Sequence, residues 1–341
     1  MKNTFGNNLT VTLFGESHGP AIGAVVDGLT PGLNVEKGEI EAFLALRRPN
    51  SPLDTKRREK DEFEILSGVF DGKTTGTPLC IVIPNKDVKS GDYYPGLNRP
   101  SHGDFTGHVK YDGFEDYRGG GHFSGRITAA LTAVGGILLP ALKNLGISVE
   151  TRVIGVGTAT GDRAAMDEEI ARVQAEKDSV GGKTETIVTG LPIGLGEPWF
   201  DSVEGLLSHG LFSIGGVKAV EFGDGFRLSE MQGSAANDAF TLKDGKIVTK
   251  TNHNGGICGG ITNGMPVVFR CAVKPTPSIG KAQETVNFIN GEESTLTLTG
   301  RHDPAIVRRV APVIDSITAM VISDLLIGRF EQNVLREGFT K

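Results

Sequence analysis

Two histidines, a group of arginines and a run of three glycines are where this sequence concentrates side chains that move protons and hold anions. His18 stands in GESHG (15–19) and His102 in RPSHGD (99–104), both glycine-rich irregular stretches where an imidazole is free to act as acid or base near neutral pH. Residues 117–126 read YRGGGHFSGR. Glycines in a row cost backbone entropy and are kept where the chain turns tightly or comes close to a bound group. Ser124 and Arg126 sit at the start of a strongly apolar, helix-forming stretch, so helix N–H groups, the helix dipole and a planar guanidinium converge there. That combination predicts an anion cradle. Arg47 and Arg48 end a helix and Arg301 precedes the last one, edges at which a guanidinium suits carboxylate or phosphate; Lys56, Arg57 and Arg58 form a basic loop. In KPTPSIGKAQETV (274–286), Lys274, Thr276, Ser278 and Lys281 offer donors for a second phosphate.

Other chemistries fit less well. SGVFDGKT (67–74) has Ser67 where a phosphate-binding loop needs glycine, and the GGKT at 181–184 has Lys177 at that place. A dinucleotide fingerprint starting at Gly119 and Gly121 fails at Ser124. The seven histidines form no HxH or HExxH pair, so no metal site is expected. The formal charge of −6 and pI near 5.7 leave no broad basic field for nucleic acid or an anionic membrane. Cys80, Cys258 and Cys271 are odd in number and far apart, which fits a reducing cytoplasm better than a disulfide framework. The amino terminus shows no signal-peptide core, and no run approaches 18 consecutive apolar residues, so no membrane span is expected.

These groups need elements to position them. LTVTLFG (9–15) and AIGAVVDG (21–28) read as paired strands around a tight glycine turn that carries His18. Residues 35–48 have helical spacing with a basic end; 63–70 and 77–84 read as two strands. Residues 90–125 are one long irregular segment, a length that in compact proteins is usually functional or disordered. The stretch 125–146 is the most apolar helix, interrupted by Pro140; 163–178 is a charged helix, and a short one lies near 203–213. Strands recur between 184 and 274 and a helix at 304–332. With 48 glycines, 6% aromatic residues and no regular βαβ alternation, the pattern is α+β rather than doubly wound. Joints near 180–197 hint at a boundary.

Taken together, the chain resembles the chorismate synthase family nearly end to end. The likeness rests on GESHG, RRP (47–49), RREKDEFEILSGVFDGKTTGTP (57–78), RPSHGD, DYRGGGHFSGR (116–126), VEFGDGF (220–226), NHNGGICGGITNGMP (252–266), KPTPSI (274–279) and RHDP (301–304), in order and spacing. The resemblance implies one large domain over 1–341, a β-α-β sandwich of antiparallel sheets enclosing helices, and a homotetramer. It implies loss of phosphate from 5-enolpyruvylshikimate 3-phosphate to give chorismate, with reduced FMN as cofactor and no net oxidation. At 341 residues without an obvious long insertion, dependence on an external flavin reductase is expected. Carried over by motif, His18 is the acid near the leaving phosphate, His102 a proton donor to the flavin and Asp303 a base, with Ser17 and Ser124 in support. Arg47, Arg48, Arg126 and Arg301 hold substrate; Gly260, Asn263, Lys274, Thr276, Ser278 and Lys281 hold FMN. Where the family commonly reads GGGRSSARET this chain reads GGGHFSGRIT, placing His122, Phe123 and Ile127 at a basic, a serine and an acidic position. The competing readings are an FMN-binding oxidoreductase and a silent phosphosugar-binding relative.

Overall fold

A computed structural model describes residues 2–55, 59–86, 96–298 and 302–339. Two five-stranded antiparallel sheets face a layer of helices. The first runs Thr4–Phe5, Thr10–Gly15, Ala21–Asp27, Leu79–Pro84, Glu64–Ser67. Ile22, Ala24 and Val26 share one face of their strand and pair with Ile83, Ile81 and Leu79, all buried, so one face of the sheet is apolar. The second sheet runs Val217–Phe222, Val267–Val273, Gly182–Thr189, Ser148–Val156, Ala159–Thr160. It buries Val267, Phe269, Cys271 and Val273 on its inner side.

The described helices, in chain order, are α1 (Lys37–Arg47), α2 (Asp104–Lys110), α3 (Thr128–Asn144), α4 (Arg163–Ala175), α5 (Val203–Phe212), α6 (Gly233–Ala236), α7 (Val307–Phe330) and α8 (Val334–Glu337). Helix α3 packs on α1 and α7, reaching strands of the first sheet and Ser148–Val156 of the second; α7 lies on Ser148–Val156 and Gly182–Thr189. A helix apolar on most faces has to be covered on most faces, and here two sheets do it. Gly135 and Gly136 let the helices close up: a methyl at 135 would sit 2.2 Å from Ser316 Oγ, and one at 136 would sit 2.8 Å from Ile40 Cα. Gly125–Asn144 and Val307–Phe330 are long and apolar enough to cross a membrane, but 78% and 83% of their most apolar stretches are buried inside the protein. They are core helices. The α+β sandwich expected from the sequence is the architecture found.

One carboxylate ties the chain's beginning to its end. Asp324 on α7, buried, accepts backbone N–H groups of Asn7 (3.0 Å), Asn8 (2.6 Å) and Leu9 (2.9 Å) where the first sheet starts.

Three local expectations need correction. Within 90–125 the structure forms α2, which the sequence concealed because Gly107 and few apolar residues blur its period; residues 90–95 lie outside the described set. The strand expected at 63–70 is broken at Gly68, whose positive φ of 84° and approach to Leu79 leave no room for a side chain. The hinted boundary at 180–197 is instead occupied by Gly182–Thr189, the middle strand of the second sheet.

Candidate active site

A cleft of about 870 Å³ opens at one end of the helix layer. Its lining includes the end of α1 (Arg47, Arg48), the loop before α2 (Arg99, Ser101, His102), the glycine run and start of α3 (Gly119, Ser124, Arg126), the Lys274–Ser278 segment and the entry to α7 (Asp303, Arg309). Segments separated by up to 260 residues in the chain therefore meet at one place.

The glycine run lies between two histidines. Gly119, Gly120 and Gly121 all have positive φ (63°, 86° and 51°), a region that other residues enter only with strain. A methyl on Gly119 would stand 2.1 Å from the His18 ring, and one on Gly120 would stand 2.9 Å from Cε1 of His102. At Gly121 a methyl would meet the Asp116 carbonyl at 2.1 Å. The three glycines thus keep two imidazoles and one backbone turn packed together.

His18 is buried and its Nδ1 lies 3.1 Å from Ser17 Oγ, which donates in turn to the Arg118 carbonyl at 3.3 Å. It abuts Gly119, a lining residue, but does not itself line the cleft. His102 does line it. Its Nδ1 is 2.6 Å from Asp104 Oδ1. Arg99 grips the same carboxylate with two guanidinium nitrogens, Nε to Oδ2 at 2.9 Å and Nη2 to Oδ1 at 2.7 Å. Burial alone would push the Asp104 carboxyl up; hydrogen bonds and charge from Arg99 and His102 overcome it and hold that carboxyl well below the usual carboxylate range.

The arginines form a second group. Arg47 and Arg126, both buried, share Asp61: Arg47 Nη1 is 3.5 Å from Oδ2, and Arg126 Nη1 pairs with Oδ1. Asp61 itself takes a positive φ of 51°. Arg126 also donates to Glu59 Oε1 (3.1 Å) and Asn85 Oδ1 (3.1 Å), and Arg47 to the Gly125 carbonyl (2.7 Å) and Thr128 Oγ1 (2.9 Å). Burial, then the neighbouring Arg309, bring Arg47 down to about 9 against the opposing pull of Asp61. Arg48 donates to the Lys60 carbonyl, while its Nε is buried without a hydrogen-bond partner among the described residues. An orphaned buried donor in a cleft is matched to an incoming acceptor. Arg301 and the basic loop 56–58 lie outside the described residues.

Asp303 is buried, accepts from Arg309 Nη1 at 2.8 Å and faces the cleft. Ser124 lines the cleft and its Oγ caps the short turn into α3 by accepting the Arg126 N–H at 3.3 Å. In the Lys274–Ser278 segment, Lys274 donates to the Ser101 carbonyl (2.7 Å), Thr276 to the Asp303 carbonyl (2.9 Å), and Ser278 accepts from Arg99 (3.3 Å). These side chains brace the segments that carry His102 and Asp303. Three expected cofactor residues lie off the cleft: Lys281 pairs with Asp178 (2.7 Å), Asn263 orders its own loop through the Met265 N–H (3.0 Å), and Gly260 packs against Glu197 and Ser202.

His122 Nδ1 donates to the Gly15 carbonyl at 2.8 Å, tying the glycine run to the strand end beside His18, and among the described residues it pairs with no carboxylate. Phe123 packs against Gly103 and Gly107, so it seats α2, and Ile127 is part of the core. Sequence reasoning passed over Asp61, Glu59, Arg99 and Asp104. The one signal available was their placement inside the motif segments, two residues from His102 in the case of Asp104.

Helices layered between two antiparallel sheets, with imidazoles and buried guanidiniums around one deep cleft, define an enzyme for a polyanionic small molecule. The chorismate synthase family model matches residues 9–327. The chain is 45% identical to a chorismate synthase of Thermococcus kodakarensis (95% of this chain, 97% of the relative) and 43% identical to one of Methanocella arvoryzae (95% and 94%). A crystal structure of a chorismate synthase superposes with a TM-score of 0.75 at 28% identity, covering 95% of this chain and 93% of that one. The chain belongs to the chorismate synthase family, whose members are lyases acting on a phosphate.

Proposed function

We propose that this chain removes phosphate from 5-enolpyruvylshikimate 3-phosphate by 1,4-elimination to give chorismate, using bound reduced FMN. The supporting observation is a single cleft that brings His102, Ser124 and Asp303 together with Arg47, Arg48 and Arg126. A substrate carrying a phosphate and two carboxylates needs several guanidiniums in a pocket shielded from water.

The residues present fit a flavin beside such a substrate. At about 870 Å³ the cleft lies at the upper end of the common range for ligand sites, roughly 300–1,000 Å³. Phe212, Ile214, Val217, Ile306, Val310 and Val313 supply apolar lining suited to a planar ring, and the Lys274–Ser278 segment supplies polar groups within reach. When bound, reduced FMN supplies the electron density that lets phosphate leave with no net oxidation.

In this reading Arg48, Arg47 and Arg126 orient the phosphate and carboxylates, with Arg48 Nε gaining the acceptor it lacks. His18, which lies behind Gly119 at the cleft wall, serves as acid toward a leaving phosphate seated against that glycine, and Ser17 holds its Nδ1. His102 holds a proton at Nε2 toward the cleft; Asp303, steadied by Arg309, takes up the ring proton. The proposal includes a homotetramer, a cytoplasmic setting and an external flavin reductase.

An anaerobic assay with 5-enolpyruvylshikimate 3-phosphate and chemically reduced FMN tests it, following chorismate absorbance and phosphate release together. Product is expected only with reduced flavin and without stoichiometric flavin oxidation. Binding of both ligands with no product would replace this reading with that of a silent binding protein.

A further inference from the structure

We propose that Asp104, clamped by Arg99, is a positioning residue that fixes the tautomer and direction of His102. The inference rests on the reading of His102 as a proton donor and adds the group that makes its ring direction definite. Four observations carry it. Asp104 Oδ1 lies 2.6 Å from His102 Nδ1; Arg99 Nη2 is farther from that nitrogen, at 3.0 Å, and donates to Oδ1 at 2.7 Å, so the carboxylate is the nearer partner and holds the proton on Nδ1. Among the described residues no hydrogen bond engages Nε2, and His102 lines the cleft. Asp104 is itself held in a two-point fork by Arg99, whose backbone N–H also donates to Oδ2 at 3.0 Å. The residue before the histidine, Ser101, has a positive φ of 62°, and Lys274 holds its carbonyl at 2.7 Å.

The restraint extends outward: Ser278 accepts from Arg99 Nη1 at 3.3 Å, so the Lys274–Ser278 segment holds His102 from two sides. When the imidazolium gives up a proton, the Nε2–H bond is the one that breaks. The proton passes to the acceptor in the cleft, the positive charge leaves the ring, and the neutral ring keeps its proton on Nδ1 against Asp104. A ring with its neutral proton on Nε2 would present the wrong edge to accept one back.

The test compares wild type with Asp104→Asn, Asp104→Glu and Arg99→Lys, using ¹⁵N-histidine NMR of the whole protein without added ligands, the His102 signals being assigned by their loss in His102→Ala. At alkaline pH the wild-type ring should show the Nδ1–H tautomer. Asp104→Asn, which offers an amide in place of the carboxylate, should shift it toward a mixture or to Nε2–H and lower kcat by at least about 10-fold with KM little changed. Asp104→Glu should restore part of both, and Arg99→Lys should give a smaller version of the same change. An unchanged tautomer in Asp104→Asn overturns the proposal, even if activity falls, because loss without a tautomer change is what a purely structural residue produces. If Asp104→Asn fails to fold, Asp104→Glu and Arg99→Lys decide by the same spectrum. The NMR result stands whether or not wild type forms chorismate, so failure of the proposed reaction and failure of this inference are separable.

Discussion

The two histidines beside the glycine run are held by opposite kinds of partner. His18 is buried against a hydroxyl and the backbone, while His102 lines the cleft against a carboxylate that an arginine keeps ionised. A hydroxyl can both donate and accept toward a ring nitrogen, whereas a carboxylate only accepts. The glycine run allows both within one turn, because each imidazole needs a missing side chain to fit. One backbone feature therefore seats two imidazoles, and burial and hydrogen-bond partner, rather than residue type, set their surroundings apart.

The comparison breaks if either ring is dispensable. His18→Ala and His102→Ala should each lower kcat by about 10² to 10⁴ with the fold intact by circular dichroism, the range of a lost general acid. Near-wild-type turnover in one of them would leave a single proton site. The glycines should then differ in the same order as the contacts. Gly119→Ala combines overpacking of about 1–3 kcal/mol with a left-handed backbone cost of roughly 1–2, and urea unfolding should show a loss of about 2–5 kcal/mol. Gly120→Ala, whose methyl meets His102 at 2.9 Å rather than 2.1 Å, adds the lower end of the overpacking cost, about 1 kcal/mol, to the same backbone cost and should lose roughly 2–3 kcal/mol. Equal losses would mean that the two rings are not packed differently.

A buried carboxyl on α7 adds its own pH dependence to stability. Asp315 on α7 is pushed up to about 7, first by burial and then by the nearby Glu150, against hydrogen bonds from Thr151. Its folded value exceeds the unfolded one of about 3.9, so the folded state binds more protons between the two. The stability it contributes is present in acid and is lost as pH rises from about 4 through 7, by ~4 kcal/mol at most. Asp315→Asn should flatten that slope in urea midpoints measured at pH 5 and pH 8; an unchanged slope would assign it elsewhere. The smallest effect belongs to the Ser17 hydroxyl. Ser17→Ala removes one hydrogen bond worth about 0.5–1.5 kcal/mol, and kcat should fall roughly 2- to 12-fold. A fall as large as that of His18→Ala would make Ser17 a proton carrier rather than a support.

Much of this was legible in the sequence where local pattern decides the outcome. Thr10–Gly15 and Ala21–Asp27 alternate for the core, and α3 and α7 are apolar on most faces, so strands, core helices and their α+β arrangement could be read directly. Helix α2 was hidden because Gly107 and few apolar residues blur its period, and its packing comes from distant residues, Phe123 and Phe288. The histidines, Ser124 and the arginines could be singled out by type and neighbours, and Asp303 through the family resemblance. Their counter-ions could not: Asp61 and Asp104 matter only once folding brings Arg47 and Arg126, or His102 and Arg99, within hydrogen-bond distance. Lys281, Asn263 and Gly260 look like donors or close-approach residues in one dimension and are engaged elsewhere in three.

Asp324 gives the fold a timetable. The backbone at residues 7 to 9 waits for a carboxylate made more than 300 residues later, and α3 waits for the glycine-lined contact with Ser316 on α7. On the ribosome, the most apolar helix is thus finished long before its lid of sheet and helix exists. A chain released short of α7 carries an uncovered greasy rod and an unanchored first strand, the state in which large α+β chains stick to one another. The anchoring of the first strand and the covering of α3 thus both depend on α7.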